Sequence, residues 1–142
     1  MQGNAELLNF IYQNSQMGVI TIKQLLEFCE DANFRRQMQS QYDEYEAIHR
    51  AADQLLRQNG YDEKGIGALE KMKTYLMINM QTLTDKSSSH IAEMMTVGST
   101  MGIIQALRNL RKYQDAEPAG RDLMQRLLKF EEKNVTEIKQ FI

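Results

Sequence analysis

A single cysteine, Cys29, leaves the 142-residue chain without an internal disulfide, and a reducing compartment suits it best. Proline occurs once, at Pro118, so little in the sequence interrupts long helices. Tryptophan is absent, and β-branched residues are sparse beside Leu, Met, Gln, Glu and Lys, which lose least side-chain freedom in a helix. Charge of one sign is also lacking: 17 Lys and Arg against 19 Asp and Glu leave a net charge of −2. Nucleic acid and anionic membrane surfaces demand a basic patch, so neither is expected as a partner. The charge-free stretch Met94 to Leu107 is shorter than the ~20 residues of a membrane span and includes Thr, Ser, Gln and glycine. From Met1 the chain runs into a helical pattern without the marks of a secretory signal, and a cytoplasmic location is expected. What the chain has in plenty is methionine, ten residues that suit an adaptable core.

The length is that of one domain, and residues 1–142 are read as a single helical unit. Apolar side chains recur at about 3.5 residues in five segments. The spacing predicts helices over 5–30, 34–58, 68–83, 90–113 and 119–141. Asn33 is the expected N-cap of the second, Asn59-Gly60 its end, a serine among Ser87 to Ser89 the cap of the fourth, and Pro118 the opening of the last. Gly65 and Gly67 precede the third helix, whose stripe is Leu69, Met72, Leu76, Met80 and Leu83. Tight turns at 31–33 and 115–118 make two antiparallel pairs, joined by a thirty-residue crossover. The expected class is therefore all-α, an antiparallel four-helix bundle with a helical crossover between its second and third long helices. The halves repeat in outline as helix pairs, with no sequence identity that supports a duplication.

Bundles of this connectivity hold metal with a Glu from each of two helices and a Glu-x-x-His from each of the other two. Residues three apart share one helix face, which is why that spacing works. Glu46-Ala-Ile-His49 is a complete copy at mid-height of the second long helix. Glu131-Glu-Lys-Asn134, at mid-height of the last, has Asn for His. The middles of the other two, Asn14 to Gly18 and Thr96 to Gly102, contain no carboxylate. A dinuclear centre needs bridging carboxylates, so the expectation is no cofactor and no catalytic residue. The alternative is a single Fe or Zn ion on Glu46, His49, Glu131 and Asn134. Gly98, Ser99, Gly102 and Ala106, facing Gly18, predict close helix approach, or else a small cavity among Met17, Met94, Met101 and Tyr45 for an apolar ligand. Cys29 sits at a helix C-terminus, where the dipole disfavours a thiolate. His90 beside Ser87 to Ser89 reads as a cap cluster, and Arg108, Arg111 and Lys112 suit the end of their helix.

With these helices placed, the chain resembles the ferritin-like superfamily, in particular small bacterial members with a degenerate metal site. It is similar in outline to coat-F-type bundles. The resemblance rests on helix order and on Glu46/His49 and Glu131/Asn134. It implies a fold rather than an activity. The expected function is that of a non-catalytic helical bundle acting through protein contacts, as a homodimer. The face expected for that dimer is Tyr75, Met77 and Ile78, which carry apolar surface off the crossover stripe. The alternative is a ferritin-like metal-binding protein with a mononuclear or degenerate site.

Overall fold

Helices α1 (Gln2–Leu25), α2 (Ala32–Gln58), α3 (Glu70–Gln81), α4 (Ser88–Lys112) and α5 (Pro118–Ile138) follow one another, closed by a 3₁₀ turn at Lys139–Phe141. The computed structural model describes residues 2–63, 70–81 and 83–142, and among these there is no strand. Gly65, Gly67, Leu69 and the start expected for the crossover helix lie outside the described residues, as do the side chains of Met72 and Ile78. No helix among the described residues is long and apolar enough to cross a membrane.

The helix ends are fixed by groups the sequence supplies. Ser87 accepts the His90 N–H at 3.2 Å and caps α4, and Pro118 takes the first turn of α5, where its missing N–H costs nothing. Gly60 stands at φ +69° after α2; its N–H reaches Arg57 O at 3.1 Å and the Tyr61 N–H reaches Leu56 O at 2.9 Å. That pair of bonds is a Schellman end, which a glycine at this φ allows without strain. The N-cap of α2 is Asp31 rather than Asn33: the Asp31 carboxylate accepts the Phe34 N–H at 2.8 Å, and its charge suits the helix dipole better than an amide.

The first helix is shorter than its apolar spacing predicts, ending at Leu25 instead of Glu30. The cause lies in the next helix. Arg35, in the first turn of α2, donates through Nη1 to Leu26 O and, at 2.9 Å, to Cys29 O. It thereby satisfies two carbonyls of the corner in place of further helical N–H groups. Arg121, in the first turn of α5, repeats the device, donating to Leu110 O and Tyr113 O at 2.9 Å each. Both tight corners are closed by the same side chain at the same place.

α1 packs most extensively on α2, and α4 on α5; α5 also touches both α2 and α1, while α1 meets α4 along a thinner seam. Arg126 pairs with Glu44 and Gln37 with Glu137, so α2 and α5 run antiparallel. Tyr113 at the end of α4 bonds Glu6 near the start of α1, so those two are antiparallel as well. Because three helices surround it, α1 buries polar side chains (Asn14, Ser15 and Thr21) along with Leu7, Ile11 and Leu25. α3 packs chiefly on α4. Its Tyr75 is half-buried against the core and Leu76 is buried, whereas Met77 is exposed, so the apolar face expected on this helix is partly turned inward.

One short segment is nevertheless shared by the two helix pairs. Ser15-Gln-Met-Gly-Val-Ile20 in α1 corresponds to Ser99-Thr-Met-Gly-Ile-Ile104 in α4, with four of the six residues identical. Ile20 and Ile104 are each 44% exposed, and Ser15 and Ser99 are both buried. In α2 and α5 the buried stripes coincide position by position: Met38 with Met124, Gln41 with Leu127, Tyr45 with Glu131, Ile48 with Asn134. The two helix pairs are thus alike in pattern, with α3 between them.

Candidate functional site

The buried stripe of α5 contains two polar residues at its middle, Glu131 and Asn134, one turn apart. Glu131 is 1% exposed. Across from it, at the equivalent place in α2, stands Tyr45, also buried, whose hydroxyl donates to Glu131 Oε1. The Asn134 amide donates to the same oxygen at 3.3 Å. Ser99 of α4 and Asn134 lie beside the Tyr45 phenol and favour its charged form, against the burial that raises it.

Two glycines make the room. A Cβ on Gly18 would lie 2.6 Å from the Tyr45 ring, and a Cβ on Gly102 would collide with Glu131 Oε2. These are the same residue of the SxMG repeat, each seating the central side chain of one half. The small residues therefore accommodate side chains rather than bring helix backbones together, and Met94 and Met101 do not line the cavity at the centre. Gly98 differs: a Cβ there would meet Leu76 of α3 at an ordinary 3.5 Å.

Burial pushes the Glu131 carboxyl up to about 8, against the hydrogen bonds from Tyr45 and Asn134 that favour its charged form. Burial, and then the adjacent carboxyl, push the Tyr45 phenol well above 10. At neutral pH Glu131 is a neutral acid. Beside it lies a cavity of about 40 Å³, whose polar wall includes Asn14, Gln41, Tyr45, Ser99 and Glu131. Asn14 Nδ2 and Gln41 Nε2 are buried there without a hydrogen-bond partner.

Of the residues expected to form a site, only Glu131 and Asn134 come together. The pair of α2 that points inward is Tyr45 and Ile48; Glu46 and His49 each lie one residue later, about 100° around the helix. Glu46 is half-exposed and pairs with Arg50. His49 Nδ1 faces Ser15 Oγ at 3.3 Å and Tyr12 O at 3.2 Å, and its ring rests on that of Tyr12 with centroids 4.4 Å apart. Among the described residues no three His, Cys, Asp or Glu side chains are grouped as a metal requires. The residues present do not fit an Fe or Zn ion, which would find a single carboxyl among amides and a phenol at the centre.

Ser15 and His49 look like half of a nucleophilic pair, but Ser15 is fully buried and its hydroxyl donates to Ile11 O at 2.7 Å. A hydroxyl so committed is no nucleophile. Cys29 is buried as well, and burial raises its thiol above the usual range, so it stays protonated. Asn14, Gln41 and Ser99 have no ligand-spacing signal in the sequence, because none is a metal ligand of the expected type. The repeat could have found them: Ser99 answers Ser15, while Asn14 and Gln41 answer the apolar or small Gly98 and Leu127. Compared with models of protein families, with curated proteins and with solved structures, the chain matches none.

Proposed function

We propose that the chain is a ferritin-like four-helix bundle with a helical crossover, that its centre is a neutral polar network in place of metal ligands, and that it acts without catalysis, through protein contacts, as a cytoplasmic homodimer. The antiparallel packing of α1, α2, α4 and α5 around Glu131 supports the bundle. The observation that carries the contact function is on α4. Ile104 and Leu107 are 44% and 52% exposed, one turn apart on one face. Arg108 and Arg111, both exposed, border them. Apolar anchors with arginine at the edge are typical of protein interfaces.

Full burial of such a side chain stabilises by roughly 1.5–3 kcal/mol, and a two-fold contact uses each residue twice. Sedimentation equilibrium is the test. A dimer of the 16.5 kDa chain is expected, and Ile104→Lys with Leu107→Lys should return it to monomer while leaving its helicity intact. A wild-type monomer at micromolar concentration would end this reading. A dimer that survives both substitutions would place the interface elsewhere.

A further inference from the structure

The cavity beside Glu131 is polar in a way that packing does not require. In the repeat, Asn14 corresponds to Gly98, Gln41 to Leu127, Asn134 to Ile48 and Glu131 to Tyr45. In the first three pairs one half shows that a small or apolar residue suits the fold. In the other half an amide replaces it, and two of these amides converge on one cavity. Asn14 and Gln41 are each 3% exposed, and both line it with an unpartnered amide nitrogen. A buried donor left unmade is costly, so two at one place call for an acceptor.

The surroundings define that acceptor. Glu131 Oε1 already accepts from Tyr45 and Asn134, which leaves Oε2 to bear the acid proton. A Cβ on Gly102 would meet both Oε2 and Asn14 Nδ2, so these two groups border the same small space. Among the described residues no Lys, Arg, Asp or second Glu lines the cavity, so no described charge there offsets an ionic ligand. Met17, Ile22, Leu76 and Met95 form its apolar side. At about 40 Å³ it holds roughly three water-sized spheres, enough for a molecule of a few non-hydrogen atoms. Among the described residues Gln41 alone lines both this cavity and the open groove between α2 and α5.

We propose that the central cavity binds a small uncharged molecule through its carbonyl oxygen, held by the side-chain amides of Asn14 and Gln41 and the carboxyl of Glu131, with its apolar part against Met17, Leu76 and Met95. This does not depend on the dimer: a monomer has the same cavity.

The test uses acetone as the probe and isobutene, the same shape without the oxygen, as the control. A ligand of four non-hydrogen atoms binds no tighter than tens of micromolar, so titration of the ¹⁵N-labelled chain runs to about 100 mM. Saturable shifts of the Asn14 and Gln41 side-chain amide signals with acetone, and none with isobutene, are expected. Asn14→Leu should weaken the acetone affinity about tenfold or more, as loss of a buried hydrogen bond does. Should that variant fail to fold, Gln41→Leu, which copies Leu127, asks the same from another helix. Shifts that rise linearly and equally at exposed amides such as Gln39 and Gln125 would overturn the proposal, leaving a site for water alone. So would an equal response to isobutene, or an undiminished affinity in a folded variant.

Discussion

Replacing Glu131 by glutamine separates the acid's charge from its shape. In the folded chain the carboxyl titrates at about 8 against 4.5 when free, because burial penalises its anion. Between those two pH values the folded state holds a proton that the unfolded state has released. Stability is therefore full below pH 4.5, declines as pH rises, and has lost this contribution once pH passes 8. A displacement from 4.5 to about 8 corresponds to roughly 5 kcal/mol, a large part of the 5–15 kcal/mol typical of a domain. Asp53 and Asp85, whose carboxyls lie below the usual range, act only at more acid pH, and Tyr45 only above 10. Glu131→Gln keeps an oxygen for Tyr45 and Asn134 but sets an amide near Asn14 Nδ2, so at the acid end it should cost about 1 kcal/mol. At the alkaline end it should be the more stable protein by several kcal/mol, its profile being flat where the wild type falls. Urea unfolding followed by far-UV circular dichroism across this range decides the matter. A wild-type stability that does not decline between pH 4.5 and 8 would refute the reasoning, as would an equal decline in the variant.

The three central glycines should differ. Gly18→Ala and Gly102→Ala drive a methyl into the Tyr45 ring and the Glu131 carboxyl, and each should lose about 1–3 kcal/mol in the same assay, whereas Gly98→Ala meets only Leu76 and should gain up to about 1 kcal/mol from helix propensity. Arg35→Ala and Arg121→Ala each strip two carbonyls at a corner of a charged donor; losses of about 1–3 kcal/mol are expected in thermal or urea unfolding, and a harmless Arg121→Ala would disprove the corner device. Elemental analysis of protein purified without an affinity tag should find neither iron nor zinc in stoichiometric amount, and near-stoichiometric metal lost on His49→Ala would reverse the judgement on Glu46 and His49.

Helix positions were legible because their signals are local. The α2 stripe of Met38, Tyr45, Ile48, Ala52 and Leu56 is written in its spacing, and Gly60, Ser87 and Pro118 mark ends through their own backbone or hydroxyl chemistry. The end of α1 was not legible. Phe28 and Cys29 continue the apolar period, but Arg35 of the next helix claims the carbonyls of Leu26 and Cys29, which no window on α1 contains. The site divided in the same way. Glu131 and Asn134 belong to a clear buried stripe and were found. Glu46 and His49 have the right spacing and the wrong rotation, because Glu-x-x-His fixes that two residues share a face without fixing which face turns inward. Tyr45 and Ile48 are the better apolar pair, and burying them carries Glu46 and His49 to the flank.

That rotation explains what kind of centre these helices can have. With Tyr45 and Ile48 inside, α2 brings a phenol and an aliphatic side chain to the middle, and α5 brings an acid and an amide at the matching positions. Glycines from α1 and α4 seat the phenol and the acid, leaving no room for further ligands on those turns. One carboxyl among neutral groups, with no cation beside it, is held more cheaply as an acid than as an anion. Its proton makes the Tyr45–Glu131 bond a contact between two neutral groups, joining α2 to α5 where their backbones are otherwise less closely packed than those within each pair. Ile48, Gly98 and Leu127, each in the opposite helix pair from the amide it answers, show that the scaffold closes without amides at these places. Asn14 and Gln41, turned toward a cavity with both donors unanswered, are what separates a site from a core.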